Sequence, residues 1–177
     1  MGQFSPAWCL IYTRSKQEKK VAGLLSKHNI TCLLPLKKER SKRRDRVKVI
    51  DEPLFPSYVF VQLQSLTEYT SSLNIEGVCY YVKFNNQIAK ISEQEIENIR
   101  LLSSVATGVE VSFERFRKGT EYLIEQGPLS GLFCEIIEYK SHYKLLVRVQ
   151  ILQRAVLMDL PVDHLAEVTR EKNILVG

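Results

Sequence analysis

Apolar and polar positions along the chain change period several times, and each change predicts an element. AWCLIY, residues 7–12, is a short apolar run of the kind that forms a buried strand. SKQEKKVAGLLSKHN, residues 15–29, places Val21, Leu24, Leu25 and His28 on one helical face, with Lys16, Lys20, Gly23 and Lys27 recurring on another. TCLLP, residues 31–35, predicts a second strand, followed by a basic loop and a strand at VKVID. In PLFPSYVFVQL, residues 53–63, Ser57, Val59, Val61 and Leu63 alternate with Tyr58, Phe60 and Gln62. A strand with one wet face carries polar residues there. Two aromatics on the second face mean either that helices cover both faces or that Tyr58 and Phe60 meet a partner.

SLTE at 65–68 and SEQE at 92–95 both fit the capping box, in which Ser is followed three residues later by Glu. The first predicts a short helix with Leu66, Tyr69 and Leu73 on one side, the second a longer helix with Ile96, Ile99 and Leu102 inward. Between them GVCYYVKF, residues 77–84, predicts a strand bounded by Gly77 and the turn-like Asn85-Asn86. These elements make a compact α+β domain over residues 5–105. Residues 103–119 lack a helical stripe, and a linker is expected at 106–115. TEYLIE, LFCEIIEY, YKLLVRVQI, RAVLMDL and DHLAEV then predict short strands, separated early on by Gly127-Pro128, Gly131 and Ser141-His142. They suggest a small barrel over 116–170.

Composition narrows the class. The chain has 177 residues, 45% of them hydrophobic and 25% charged, which is ordinary for a soluble globular protein. No apolar run approaches the roughly 20 residues needed to span a bilayer, and the start lacks the pattern of a secretory signal. Cys9, Cys32, Cys79 and Cys134 are widely spaced with no C-x-x-C pair, so neither a zinc site nor a redox motif is expected. Cys9, Cys32 and Cys79 sit in apolar, strand-like stretches as small core residues do, which fits a reducing cytoplasm. His28, His142 and His164 have no carboxylate or Ser at triad-like or metal-like spacing, so no catalytic residue, metal or cofactor is expected.

Charge is uneven. Residues 1–107 carry a net +6 and residues 108–177 a net −1, and the single run KKERSKRRDRVK at 37–48 accounts for the +6 by itself. The basicity is one local feature.

Three blocks, in order, resemble the NusG family of transcription elongation factors over nearly the whole chain. WCLIYTRSKQEKKVAGLL is similar to the family's opening strand and helix. EPLFPSYVFVQL is similar to the strand after its F-P-x-Y pattern, and KGTEYLIEQGPLSGLFCEII looks like a KOW motif. The resemblance implies an N-terminal NusG-type α/β sandwich followed by a C-terminal SH3-like β-barrel. Within the family, PLFPSYVF looks more like the specialised RfaH and UpxY members, the latter being regulators of capsular polysaccharide operons. That branch implies an operon-specific antiterminator that suppresses pausing and termination. The alternatives are a housekeeping NusG-type factor or a KOW-containing RNA- or ribosome-binding module.

The resemblance also implies sites. Leu54, Phe55, Pro56, Tyr58 and Phe60 match the surface that docks on the clamp helices of RNA polymerase. Rigid aromatics beside prolines suit such a role, although the domain's own helices could cover them instead. Tyr69, Thr70 and Ser71 lie nearest the segment that touches the opposite jaw, and Tyr69 could equally be a core residue. Arg14, Lys16, Lys20 and Lys27 match a region that contacts non-template DNA, and Lys42, Arg43 and Arg44 form a loop able to reach upstream DNA, unless both are merely solvated faces. Ile151, Leu152 and Arg154 match the barrel loop that contacts Rho or a small-subunit ribosomal protein. Leu152 stands there where an aromatic is common. Refolding of the second domain into helices, as in RfaH, is disfavoured by the β-forming runs YLIEQGP and LLVRVQI.

Overall fold

A computed structural model describes residues 5–40, 49–104, 109–112, 120–124, 130–139, 142–149, 152, 154–158 and 165–167. The chain divides into two units, Met1–Thr107 and Gly108–Gly177.

The first unit runs β1 (Ala7–Thr13), α1 (Glu18–Lys27), β2 (Thr31–Leu33), β3 (Leu36–Arg40), β4 (Val49–Pro53), β5 (Tyr58–Leu63), α2 (Leu66–Leu73), β6 (Val78–Tyr81), β7 (Lys83–Phe84), β8 (Gln87–Ile88), β9 (Lys90–Ile91) and α3 (Glu93–Ser104). Its main sheet has the order β2-β5-β1-β6, with β9 also paired to β1, and every pair is antiparallel. β3 and β4 form a separate hairpin, tied to α1 where Lys19 donates to the Asp51 carbonyl at 2.6 Å.

β5 and β1 are therefore interior strands, and both of their faces are largely covered. On one face Val59, Val61, Leu63, Cys9 and Ile11 pack with Val21 and Leu25 of α1, and Tyr69 and Leu73 of α2 close the cluster. The opposite face carries Trp8, Leu10 and Phe60, all buried. There α3 turns Ile96, Ile99 and Leu102 inward, its Glu93 accepts the Trp8 indole N–H at 3.1 Å, and Arg100 lies over the Trp8 ring. Burying each large side chain of this kind stabilises by about 1.5–3 kcal/mol.

Local signals account for the helix starts. Ser65 caps α2 by accepting from the Glu68 N–H at 3.2 Å, while the Glu68 carboxylate reaches back to the Gln64 N–H at 2.8 Å. Ser92 accepts from the Glu95 N–H in the same way at the start of α3. Asn85 and Asn86, at φ 47° and 63°, make the left-handed turn between β7 and β8.

Several expectations change. The helix expected from residue 15 begins at Glu18, and Lys16, at φ 62°, lies outside it. His28 is an exposed C-cap residue rather than part of the buried face. Leu66 is 64% exposed because it opens α2 ahead of the turn that meets the sheet. Cys79 is exposed as well, whereas Cys9 is buried and Cys32 half-buried. The strand expected to run through Ser57 starts at Tyr58, since Ser57 has φ 67° and belongs to the preceding turn.

The second unit contains β10 (Val109–Ser112), β11 (Thr120–Ile124), β12 (Phe133–Tyr139), β13 (His142–Val149), β14 (Arg154–Met158) and β15 (Leu165–Glu167), in one antiparallel sheet of order β10-β14-β13-β12-β11-β15. β10 falls inside the expected 106–115 linker: VEVS alternates as a strand does, and it pairs with β14 from Val109–Met158 to Ser112–Ala155. Gly131, at φ 89°, donates to the Ile124 carbonyl at 2.8 Å and turns the chain into β12. No hydrogen-bonded closure of this sheet into a barrel is found among the described strands. Glu135 and Arg148 form a two-point ion pair across β12 and β13, with Nη2 to Oε2 at 2.9 Å.

Candidate functional site

The second face of the main sheet is not covered along its whole length. Register places Tyr12 of β1 opposite both Tyr58 of β5 and Tyr80 of β6, and alternation puts all three on the face of Trp8, Leu10 and Phe60. The Tyr12 and Tyr58 rings meet edge-on at 5.3 Å and 74°, and Tyr12 and Tyr80 stack at 5.0 Å and 13°. Tyr80 is 54% exposed, while Tyr12 and Tyr58 are half-buried. Desolvation, then the neighbouring Tyr12 and Tyr58, hold the Tyr80 phenol above its ordinary value. The result is a cross-strand ladder of three phenols running from β5 across β1 to the edge strand β6, apolar in its rings and polar at its tips. Such amphipathic, rigid area is typical of protein-binding hot spots.

Of the five residues expected on a docking surface, the structure leaves only part at the surface. Leu54, Phe55 and Phe60 are buried, with Phe55 and Phe60 edge-on at 5.9 Å. Phe60 lies beside the ladder on the same sheet face, and the burial of Leu54, Phe55 and Phe60 corrects the expectation that they present a docking surface. Pro56 is exposed and Tyr58 half-buried. Tyr12 and Tyr80 were not singled out from the sequence. Their signal was the Trp8-Leu10-Tyr12 alternation and the YY pair at 80–81, read there only as parts of strands.

Tyr69 packs into the first unit's core, its ring 5.0 Å from that of Tyr81. Thr70 is exposed, with its hydroxyl on the carbonyls of Leu66 and Thr67. Ser71 is also exposed and borders a groove of about 260 Å³ between α1 and α2, shared with Leu24, His28 and Glu76. These three positions therefore do not form one surface.

The cations divide in the same way. Arg14, Lys16 and Lys27 are exposed. Lys20 is paired with Glu76 at 2.7 Å, and this contact holds the Glu76 carboxyl below its usual range. The expected stripe is thus interrupted by one ion pair and by the displacement of Lys16 from the helix. Lys42, Arg43 and Arg44 lie outside the described residues, as does Ile151. Leu152 is half-buried, and Arg154 opens β14 opposite Val149. Among the described residues, no group of three or more His, Cys, Asp or Glu is placed to hold a metal ion, and no helix is long and apolar enough to cross a membrane.

The comparisons with known proteins agree with one another. The family model described as "Transcription termination factor nusG" matches residues 6–100, which is more than half of the chain. A curated protein of Lactococcus lactis subsp. lactis (strain IL1403), "Transcription termination/antitermination protein NusG", is 26% identical, with 93% of this chain and 95% of that protein covered. The solved structure "Domain interaction in Thermotoga maritima NusG" aligns at a TM-score of 0.56 with 20% identity, over 93% of this chain and 98% of that one, and shows the likeness of fold. The family model covers more than half of the chain, including the three strands of the tyrosine ladder, and on that ground the chain belongs to the NusG family of transcription factors.

Proposed function

We propose that this chain is a non-enzymatic transcription elongation factor that docks on the clamp helices of RNA polymerase through its first unit and suppresses pausing and termination. The carrying observation is the Tyr58–Tyr12–Tyr80 ladder: three rings packed on one another, half-buried at Tyr12 and Tyr58 and exposed at Tyr80, on the sheet face that also carries the buried Phe60. Because the rings already pack on one another, docking there needs little side-chain ordering, which keeps the entropic cost of association low. Pro56 borders the surface, and Thr70 and Ser71 supply polar contacts to the opposite jaw.

Exposed Arg14, Lys16 and Lys27, together with the Lys42, Arg43 and Arg44 loop, attract the phosphates of non-template or upstream DNA. This contribution weakens steeply with salt. The second unit acts as a KOW-type SH3-like barrel whose Ile151, Leu152 and Arg154 region recruits a ribosomal protein or Rho. The PLFPSYVF block supports an operon-specific antiterminator of polysaccharide genes in a cytoplasmic setting. A housekeeping role is the second reading, favoured by the near full-length likeness to the Lactococcus protein.

A run-off assay across a strong terminator, on a polysaccharide-operon leader and on an unrelated leader, separates these readings. Read-through confined to the first template is expected of the specialised factor, and equal effects on both support the housekeeping one. No effect on either, with no copurification of polymerase after nuclease treatment, overturns the proposal.

A further inference from the structure

Tyr12 and Tyr58 lie at the end of the sheet where β1 finishes and β5 starts, with Tyr80 beside Tyr12, and the backbone of the neighbouring residues is tied across the strands. Thr13, after Tyr12, donates its N–H to the Ser57 carbonyl at 2.9 Å. Arg14 donates to the Gly77 carbonyl at 2.9 Å, and Gly77 leads into β6 and Tyr80. Ser57, immediately before Tyr58, donates its N–H to Oε1 of Glu18 at 2.7 Å. Glu18 is a first-turn residue of α1 and only 4% exposed, an unusual place for a carboxylate.

The junction holds conformations that are costly in isolation. Ser57 and Lys16 are non-glycine residues at φ 67° and 62°, and Gly77 is at φ 97°. A Cβ on Gly77 would meet Oε1 of Gln17 at 2.5 Å and Cγ2 of Val21 at 2.9 Å. Thr13 Oγ1 and Gln17 Oε1 are buried there without a hydrogen-bond partner. Left-handed non-glycine residues and orphaned polar atoms persist where surrounding structure over-determines them, and they gather at functional sites. Here they gather in the segments next to Tyr12, Tyr58 and Tyr80.

We infer that Glu18 is a positioning residue for the docking surface: its buried carboxylate holds Ser57 in the left-handed conformation that aims Tyr58 at Tyr12 and completes the ladder before a partner arrives. This inference rests on the docking reading above. The partner's chemistry follows from the surface it completes, an apolar protein face with polar groups able to meet phenol hydroxyls.

The test uses the full chain with fluorotyrosine incorporated, read by 19F NMR, alongside its affinity for RNA polymerase. Glu18→Ala is expected to shift the Tyr58 and Tyr12 resonances and weaken polymerase binding about tenfold, with a cooperative unfolding transition retained. Glu18→Gln keeps an oxygen that accepts from the Ser57 N–H and is expected to restore both readouts. Should Glu18→Ala fail to fold, adding Ser57→Gly supplies a residue at ease at that φ, and the ladder resonances should return. Unchanged ladder resonances in folded Glu18→Ala, or ladder resonances displaced equally in Glu18→Gln, overturn the positioning role. If the resonances shift while polymerase affinity stays at the wild-type value, positioning stands and the docking reading falls.

Discussion

Phe60 and Tyr80 look alike as aromatic residues in apolar strands, yet their surroundings assign them opposite tasks. Phe60 is fully buried on the same sheet face where Tyr80 is half-exposed. Phe60→Ala should therefore destabilise the first unit by about 3–5 kcal/mol, as deletion of a buried aromatic does, and urea unfolding of the full chain measures this. Tyr81 faces the opposite core, where its hydroxyl meets that of Ser72 at 2.5 Å and burial pushes its pKa up to about 12. Because the folded value lies above the unfolded one, near 10, its contribution is fully present below pH 10 and is lost as pH rises from 10 to 12. Stability should fall there by about 1.4 kcal/mol per pH unit, and Tyr81→Phe should abolish that component.

At the scale of elements, capping chemistry was legible and coverage was not. Ser65 and Glu68 announce the start of α2 through side chains that reach only their own turn, so a four-residue pattern suffices. Ser65→Ala should cost about 1 kcal/mol, with Ser65→Asp near neutral, both read by thermal unfolding. The second face of β5 could not be resolved in the same way. Its alternation showed two apolar faces, but which part α3 covers depends on a helix some thirty residues later. The left-handed Ser57 escaped notice for a related reason: the Glu18 carboxylate that holds it comes from another element, 39 positions away. β10 was missed because four alternating residues carry little signal until β14 pairs with them.

Across the whole molecule, the contrast in charge between residues 1–107 and 108–177 follows from composition, while the candidate site does not. Tyr12, Tyr58 and Tyr80 are brought together only because β1 lies between β5 and β6, an order no single segment reveals. The family match says which family the chain belongs to; the ladder says what the surface offers. The central claim is that this surface is where the chain meets RNA polymerase. The most direct test is the affinity of full-length Tyr80→Ala for polymerase, with Phe84→Ala, another exposed aromatic of the same unit, as the control. Docking through the ladder predicts a loss of roughly 10- to 100-fold for Tyr80→Ala and none for Phe84→Ala. Wild-type affinity in a folded Tyr80→Ala protein would contradict it.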